Sequence, residues 1–197
     1  GNLEVDQLLP DDRAEIEVGK TCAVVGGGDT GADCVRTAVR LGFTKVVCIY
    51  RRSAEEIPGR EADRGYAVEE GVEYHFLANP IRFEGDGKVE RMTCVKMRLG
   101  EPDPSGRRRP EPIDGSEFAL DVDAVVLALG YQLDEELLAA SGVNVERGGV
   151  AVDAQLATSR PAVFAAGDVV NGADLIVTAA RDGRDAAMAI DRYLQRG

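Results

Sequence analysis

Apolar residues in this chain fall into two kinds of pattern, and the alternation between them predicts the fold before any motif is considered. The run "TCAVVG", Thr21 to Gly26, is short, continuous and valine-rich, as expected of a parallel strand covered on both faces. After the glycine-rich segment that follows, Ala32, Val35 and Val39 recur at helical spacing until Leu41 and Gly42 close the helix. "KVVCIY", Lys45 to Tyr50, is a second strand of the first kind. Strand, helix and strand together span about 30 residues, the length of a βαβ unit.

Farther on the period changes. Glu61 to Glu70 reads as a short helix closed by Gly71, and Val72 to Leu77, Ile81 to Glu84 and Val89 to Leu99 read as strands separated by turns such as "EGDGK". Proline, glycine and charge dominate Gly100 to Glu117, which predicts a long exposed loop; Arg107, Arg108 and Arg109 read there as solvated residues balanced by neighbouring acids. "DVDAVVLALGYQ", Asp121 to Gln132, predicts a buried strand. The C-terminal stretch predicts one more strand in "AVFAAG", a turn at Gly167 and Asp168, and a long helix. On that helix Ile176, Ala179, Ala180, Gly183, Ala187, Ile190 and Leu194 share an apolar face that should pack on a sheet. Residues 1–18 are acidic and weakly patterned, and read as a connecting segment.

Composition narrows the classes of function. The 197 residues are 44% hydrophobic, enough for a core that buries about 70% of the unfolded surface. Acidic residues outnumber basic ones by 35 to 23, a net charge of -12 that argues against nucleic acid as a partner. No apolar run reaches the roughly 18 residues that cross a bilayer, and the N-terminal stretch lacks a signal peptide's basic and apolar regions, so no membrane partner and a cytoplasmic location are expected. Cys22, Cys34, Cys48 and Cys94 lack the C-x-x-C spacing of a redox pair or metal site, so buried, reduced thiols and no metal ligands are expected. The single histidine, His75, alternates with Tyr74 and Phe76 as a strand residue does, and reads as structural.

Chemistry concentrates in the glycine segment. Gly26, Gly28 and Gly31 fit G-x-G-x-x-G between a strand and an amphipathic helix, the context that makes this signal specific. Glycine lacks Cβ, so the backbone can turn tightly and bring its amides against a pyrophosphate at the positive end of the helix. Asp29 and Thr30 read as turn or N-cap residues. Past the second strand, where an acid would accept hydrogen bonds from the ribose 2′-hydroxyl of NAD, this chain has Arg51 and Arg52. Guanidinium groups suit a 2′-phosphate, so NADP(H) is favoured over NAD; Arg60, after "EEIPG", is a further candidate. Against this stands pairing of one arginine with Glu55 or Glu56.

"VVGGGDTG", "CVRTAVRLG", "YRR", "EEGVE", "GRRRPEPIDGSEF", "DAVVLALGY" and "VFAAGDVVNGADLIVTAARDGRDAA" together resemble the glutamate synthase small (beta) subunit and its flavoprotein relatives, from about Gly19 onward. The resemblance implies an α/β chain: a Rossmann-like NADPH-binding domain with a parallel sheet and a small β-meander over residues 19–118, then the C-terminal half of an FAD-binding fold over 119–197. It implies a reductase in which hydride passes from NADPH to FAD and electrons go on to iron–sulfur clusters, with no protein group as catalyst. By motif, Gly26, Gly28, Asp29, Thr30 and Gly31 would hold the NADPH pyrophosphate, with Arg51 and Arg52 at the 2′-phosphate. Asp168 would hydrogen-bond the FAD ribityl chain, Gly167 before it would belong to the same cofactor site, and Thr178 and Ala179 would lie near the flavin ring. The family commonly has alanine where Gly31 stands. Its cysteine-rich cluster region and first FAD half have no counterpart here, so the chain is expected to be a C-terminal portion, inactive alone, with the iron–sulfur clusters in the missing upstream region or in a partner such as a large glutamate synthase-like subunit. Two other readings are a thioredoxin-reductase-like enzyme lacking its C-x-x-C and a non-catalytic NADPH-binding module completed by a partner.

Overall fold

The structure, a computed structural model, describes residues 18–102, 106–130, 133–146 and 148–195. The expected connecting segment therefore lies almost wholly outside the described residues. The chain divides into two compact units, one ending at Gly130 and the other beginning at 131.

In the first unit β1 (Thr21–Val25), α1 (Asp29–Leu41) and β2 (Lys45–Tyr50) form the expected βαβ unit. A 3-10 turn (Ala54–Glu56) and α2 (Glu61–Glu69) lead to β3 (Glu73–Phe76). The sheet has the order β3-β2-β1-β8, with β8 at Ala124–Leu127, and every pair in it is parallel. Its core follows from the period of two. Cys22, Val24, Val46 and Cys48 point to the face covered by Val35 and Ala38 of α1 and Ala67 of α2, whereas Ala23, Val25, Val47 and Ile49 point to the other. That second face meets Ala78, Met92 and Cys94 of a β-meander built from β4 (Ala78–Glu84), β5 (Arg91–Pro102), β6 (Arg108–Pro112) and β7 (Phe118–Asp121). Each fully buried valine or isoleucine contributes about 1.5 to 3 kcal/mol.

Burial accounts for the thiols. Cys48 is pushed up to about 12, and Cys22, also beside Cys34, to about 11, so both stay protonated at neutral pH and act as small apolar groups. None of the four cysteines is in a disulfide. On β3, Tyr74 stacks on Phe76 at 5.6 Å while His75 stacks on Phe118 at 6.5 Å, the structural role expected of that histidine.

Four expectations about elements need correction. The span 100–117 is not a loop throughout: β5 runs to Pro102, and β6 pairs with it antiparallel through Arg98 with Glu111 and Leu99 with Pro110. Pro110 and Pro112 disguise this strand in sequence, but they are tolerated because β6 lies at the edge of the meander. The buried strand expected from Asp121 is a break: β7 ends there, and β8 follows as the edge of the parallel sheet with Leu127 57% exposed. β8 bonds to β1, so Ala124–Leu127 belongs to the parallel sheet of the first unit.

The second unit contains α3 (Glu135–Ala140), a short β9–β10 ladder (Val145–Glu146 with Gly149–Val150), α4 (Asp168–Asn171) and α5 (Ile176–Leu194). "AVFAAG" forms no strand; it contributes an isolated bridge from Phe164 to Ala157. The apolar face expected on α5 is exposed from Ile176, at 85%, through Leu194, and its buried positions are Asp182 and Ala189. Among the described residues no helix is long and apolar enough to cross a membrane.

Candidate functional site

The glycine turn sits where β1, β2 and β8 end together. Gly26 has φ +136, a conformation that side chains rarely adopt, and a Cβ there would overlap the carbonyl oxygen of Ala128 just past β8. Its amide donates to the Ile49 carbonyl of β2 at 3.0 Å. A Cβ on Gly31 would overlap the Gly26 carbonyl, so this glycine lets α1 press against the turn. Gly28 differs, since a Cβ there would meet nothing within 4 Å. It is the N-cap of α1 and no side chain caps the helix; the first intrahelical bond is Ala32 N–H to the Gly28 carbonyl at 3.1 Å. The helix thus presents its positive end to open space beside the residue with no side chain, which suits a phosphate.

A strap from Ile57 to Arg60 covers the other side of the turn. Gly59 N–H donates to the Gly27 carbonyl at 3.0 Å, and Arg60 N–H donates to Asp29 Oδ1 at 3.2 Å. Asp29 therefore ties the start of α1 to the start of α2. The Arg60 guanidinium lies 3.3 Å from Asp63 and 4.0 Å from Asp29, so the structure brings it to the glycine turn. Arg64 joins it in a small cleft lined by Gly26, Gly27 and Gly28, and donates to the Ala54 carbonyl at 3.3 Å.

The two arginines after β2 part company. Arg51 is exposed and has no ion-pair partner among the described residues. Arg52 is only 7% exposed and turns toward the meander, its Nε donating to the Arg108 carbonyl at 2.9 Å. Of the two arginines expected at one phosphate, β6 draws Arg52 inward and leaves Arg51 exposed. Glu56 does not pair with Arg51; it closes a capping box with Ser53 and accepts the Arg108 amide at 3.3 Å.

In the second unit Gly167 has φ +75 and caps α4, of which Asp168 is the first residue. A Cβ on Gly167 would lie 4.0 Å from that of Ala179, so this turn rests against the first turn of α5. The amides of Thr178 and Ala179 both donate to the Leu175 carbonyl, at 2.9 and 3.1 Å. Asn171 Nδ2 reaches Asp182 Oδ2 at 2.6 Å and holds α4 to α5. Gly167 and Asp168 thus lie beside the first turn of α5, which carries Thr178 and Ala179.

Residues 3–183 match the family model described as pyridine nucleotide-disulphide oxidoreductase. The chain belongs to that family. It is 47% identical over 188 residues, 94% of its length, to the NADP(+)-dependent formate dehydrogenase subunit beta of Moorella thermoacetica. It is 44% identical over 185 residues, 90% of its length, to the glutamate synthase [NADPH] small chain of Escherichia coli K12. The chain spans 27% and 39% of these two relatives. Among solved structures it resembles the thioredoxin reductase of T. acidophilum at a TM-score of 0.70 and 25% identity, covering 91% of this chain and 54% of that one.

The glycine turn at the start of α1, Arg51 and Arg52 after β2, and the turn at Gly167 and Asp168 lie where the sequence pattern puts them. Sequence reasoning did not connect Arg64 with the glycine turn, whose cleft it lines, or Arg107 with Tyr50, whose hydroxyl it reaches. Arg64 sits on α2 four residues after Arg60, a helical spacing that places both on one face and was the available signal. Arg107 carried no local signal.

Proposed function

We propose that this chain is the NADPH-binding part of a flavoprotein oxidoreductase of the glutamate synthase small-subunit type, in which hydride passes from NADPH to FAD and electrons continue to iron–sulfur clusters. The observation that carries the reading is the uncapped start of α1 over the open side of Gly28, with an exposed arginine rather than an acid at the end of β2. Gly26, Gly28, Asp29, Thr30 and Gly31 hold the pyrophosphate, and Arg51 reads the ribose 2′-phosphate. Arg60 supplies positive charge at the turn and offsets Asp29, which would otherwise repel the phosphates. The second unit contributes Gly167, Asp168, Thr178 and Ala179 to an FAD site, a role consistent with their convergence at one end of α5.

Nicotinamide and flavin supply the redox chemistry, and the protein's part is to bind and orient them. Cys22 and Cys48 are buried with their thiols held protonated, and no group of side chains among the described residues is arranged to hold a metal, so the clusters are assigned to another part of the enzyme or to a partner. Both relatives are named as one subunit or chain of a larger enzyme, which supports a larger partner subunit. The likeness to a thioredoxin reductase favours a second reading, a disulfide-reducing enzyme, which the absence of C-x-x-C opposes.

Calorimetry with NADPH and NADH tests the assignment. NADPH binds more tightly, and Arg51→Ala removes about 1.5 to 3 kcal/mol of that preference, the size of a charge-assisted hydrogen bond. Equal affinities in the unmodified protein contradict it.

A further inference from the structure

Three segments far apart in sequence meet on the turn that leaves β2. Tyr50, the last residue of that strand, is buried, and its ring lies so close to the glycine turn that a Cβ on Gly27 would come within 2.7 Å of its Cδ2. Its hydroxyl donates to the Glu56 carbonyl at 2.9 Å. Arg107, at the tip side of the β5–β6 hairpin, donates through Nη2 to that same hydroxyl at 3.1 Å and to the Glu56 carbonyl at 3.3 Å. The next residue repeats the contact, Arg108 N–H donating to Glu56 Oε1 and its carbonyl accepting from Arg52. Arg108 is itself fixed to β5, its guanidinium donating to the Leu99 carbonyl at 2.8 Å and the Gly100 carbonyl at 3.1 Å.

Arg51 thus lies between two residues that the hairpin grips. The turn it stands on is held by a 3-10 segment of three residues, the Ser53–Glu56 box, the Leu77 amide on the Arg52 carbonyl and the Arg64 guanidinium on the Ala54 carbonyl, and the hairpin adds the side-chain contacts to Tyr50 and Glu56. We propose that Arg107 is a positioning residue for nucleotide selectivity, clamping the Tyr50–Glu56 turn so that Arg51 is presented to a ribose 2′-phosphate. This rests on the NADPH reading above. The arginine run that composition describes as solvated loop is then part of the specificity device, acting through Arg51 rather than on the pyrophosphate. Selectivity for one phosphate depends on where the cation is held, so releasing the clamp weakens discrimination more than it weakens binding of the shared dinucleotide.

The experiment titrates the chain with NADPH and with NADH, for the unmodified protein and for Arg51→Ala, Arg107→Ala, Arg107→Lys and Tyr50→Phe. Arg107→Ala lowers the NADPH to NADH affinity ratio about tenfold, the loss falling on NADPH, and Arg107→Lys restores most of it because an ammonium can still donate to the hydroxyl or the carbonyl. Tyr50→Phe keeps the ring on Gly27 and lowers the ratio in the same direction; combined with Arg107→Ala it adds little, as expected of two residues in one contact. Should Arg107→Ala not fold, Tyr50→Phe and Arg107→Lys carry the same test. An unchanged ratio in Arg107→Ala, alongside a ratio lost in Arg51→Ala, overturns the inference and leaves the NADPH reading standing. Equal loss for both nucleotides marks a purely structural role and also overturns it. No preference in the unmodified protein overturns both.

Discussion

Gly26 and Gly28 belong to one motif but serve different ends. Gly26 combines φ +136 with a Cβ direction blocked by the Ala128 carbonyl, so Gly26→Ala should lower stability by about 2 kcal/mol or more in a denaturant titration. Gly28 has an extended backbone and open space where a Cβ would go, so Gly28→Ala should stay within about 1 kcal/mol of the unmodified stability yet lose most NADPH binding, because the methyl group occupies the approach of the pyrophosphate. A destabilised Gly28→Ala, or one that binds NADPH normally, would contradict this division. At this scale the glycines were legible, because their spacing and context are local properties of the chain. Arg52 was not: its burial depends on the carbonyl of Arg108, 56 residues away. Arg107 was hidden for the same reason, its partners Tyr50 and Glu56 lying more than fifty residues earlier.

Elements that bury alternating or continuous apolar runs were readable, and those defined by pairing alone were not. β1, α1 and β2 follow directly from their patterns, whereas β6 is proline-rich and exists because β5 offers it an edge. The start of β1 is likewise secured from a distance. Asp123, between β7 and β8, accepts the amides of Thr21 at 2.8 Å and Lys20 at 2.7 Å, and these hydrogen bonds hold its carboxyl below the usual aspartate range. A carboxylate depressed in the folded state stabilises above its unfolded pKa, and that contribution is lost as pH falls through the lower folded value. Asp123→Asn should therefore be less stable than the unmodified protein near neutrality, and the gap should narrow as thermal unfolding is followed from about pH 7 down to about pH 3. A gap that stays constant over that range would show that the carboxylate's charge is not what holds the strand. The face of α5 shows the converse limit. Its apolar stripe was read correctly as a stripe, but the chain's described residues supply nothing to cover it.

For the molecule as a whole, the parallel order β3-β2-β1-β8 places the ends of β1 and β8 side by side, and the Gly26–Ala128 approach marks the crevice where dinucleotides bind in such sheets. The pairing of β8 with β1 joins residues about a hundred positions apart, so the pattern from Asp121 onward shows a strand but not the sheet it completes. Membership of the pyridine nucleotide-disulphide oxidoreductase family fits both units, and the central claim is that the nucleotide's pyrophosphate lies on the turn of the first. The most direct measurement is a two-dimensional amide NMR titration of the isotopically labelled chain with NADPH. The account predicts that the backbone amides of Gly27, Gly28, Asp29 and Thr30 show the largest shifts, saturating together with the calorimetric affinity. Saturating NADPH that leaves those four amides unmoved, or that moves those around Gly167 instead, would contradict it.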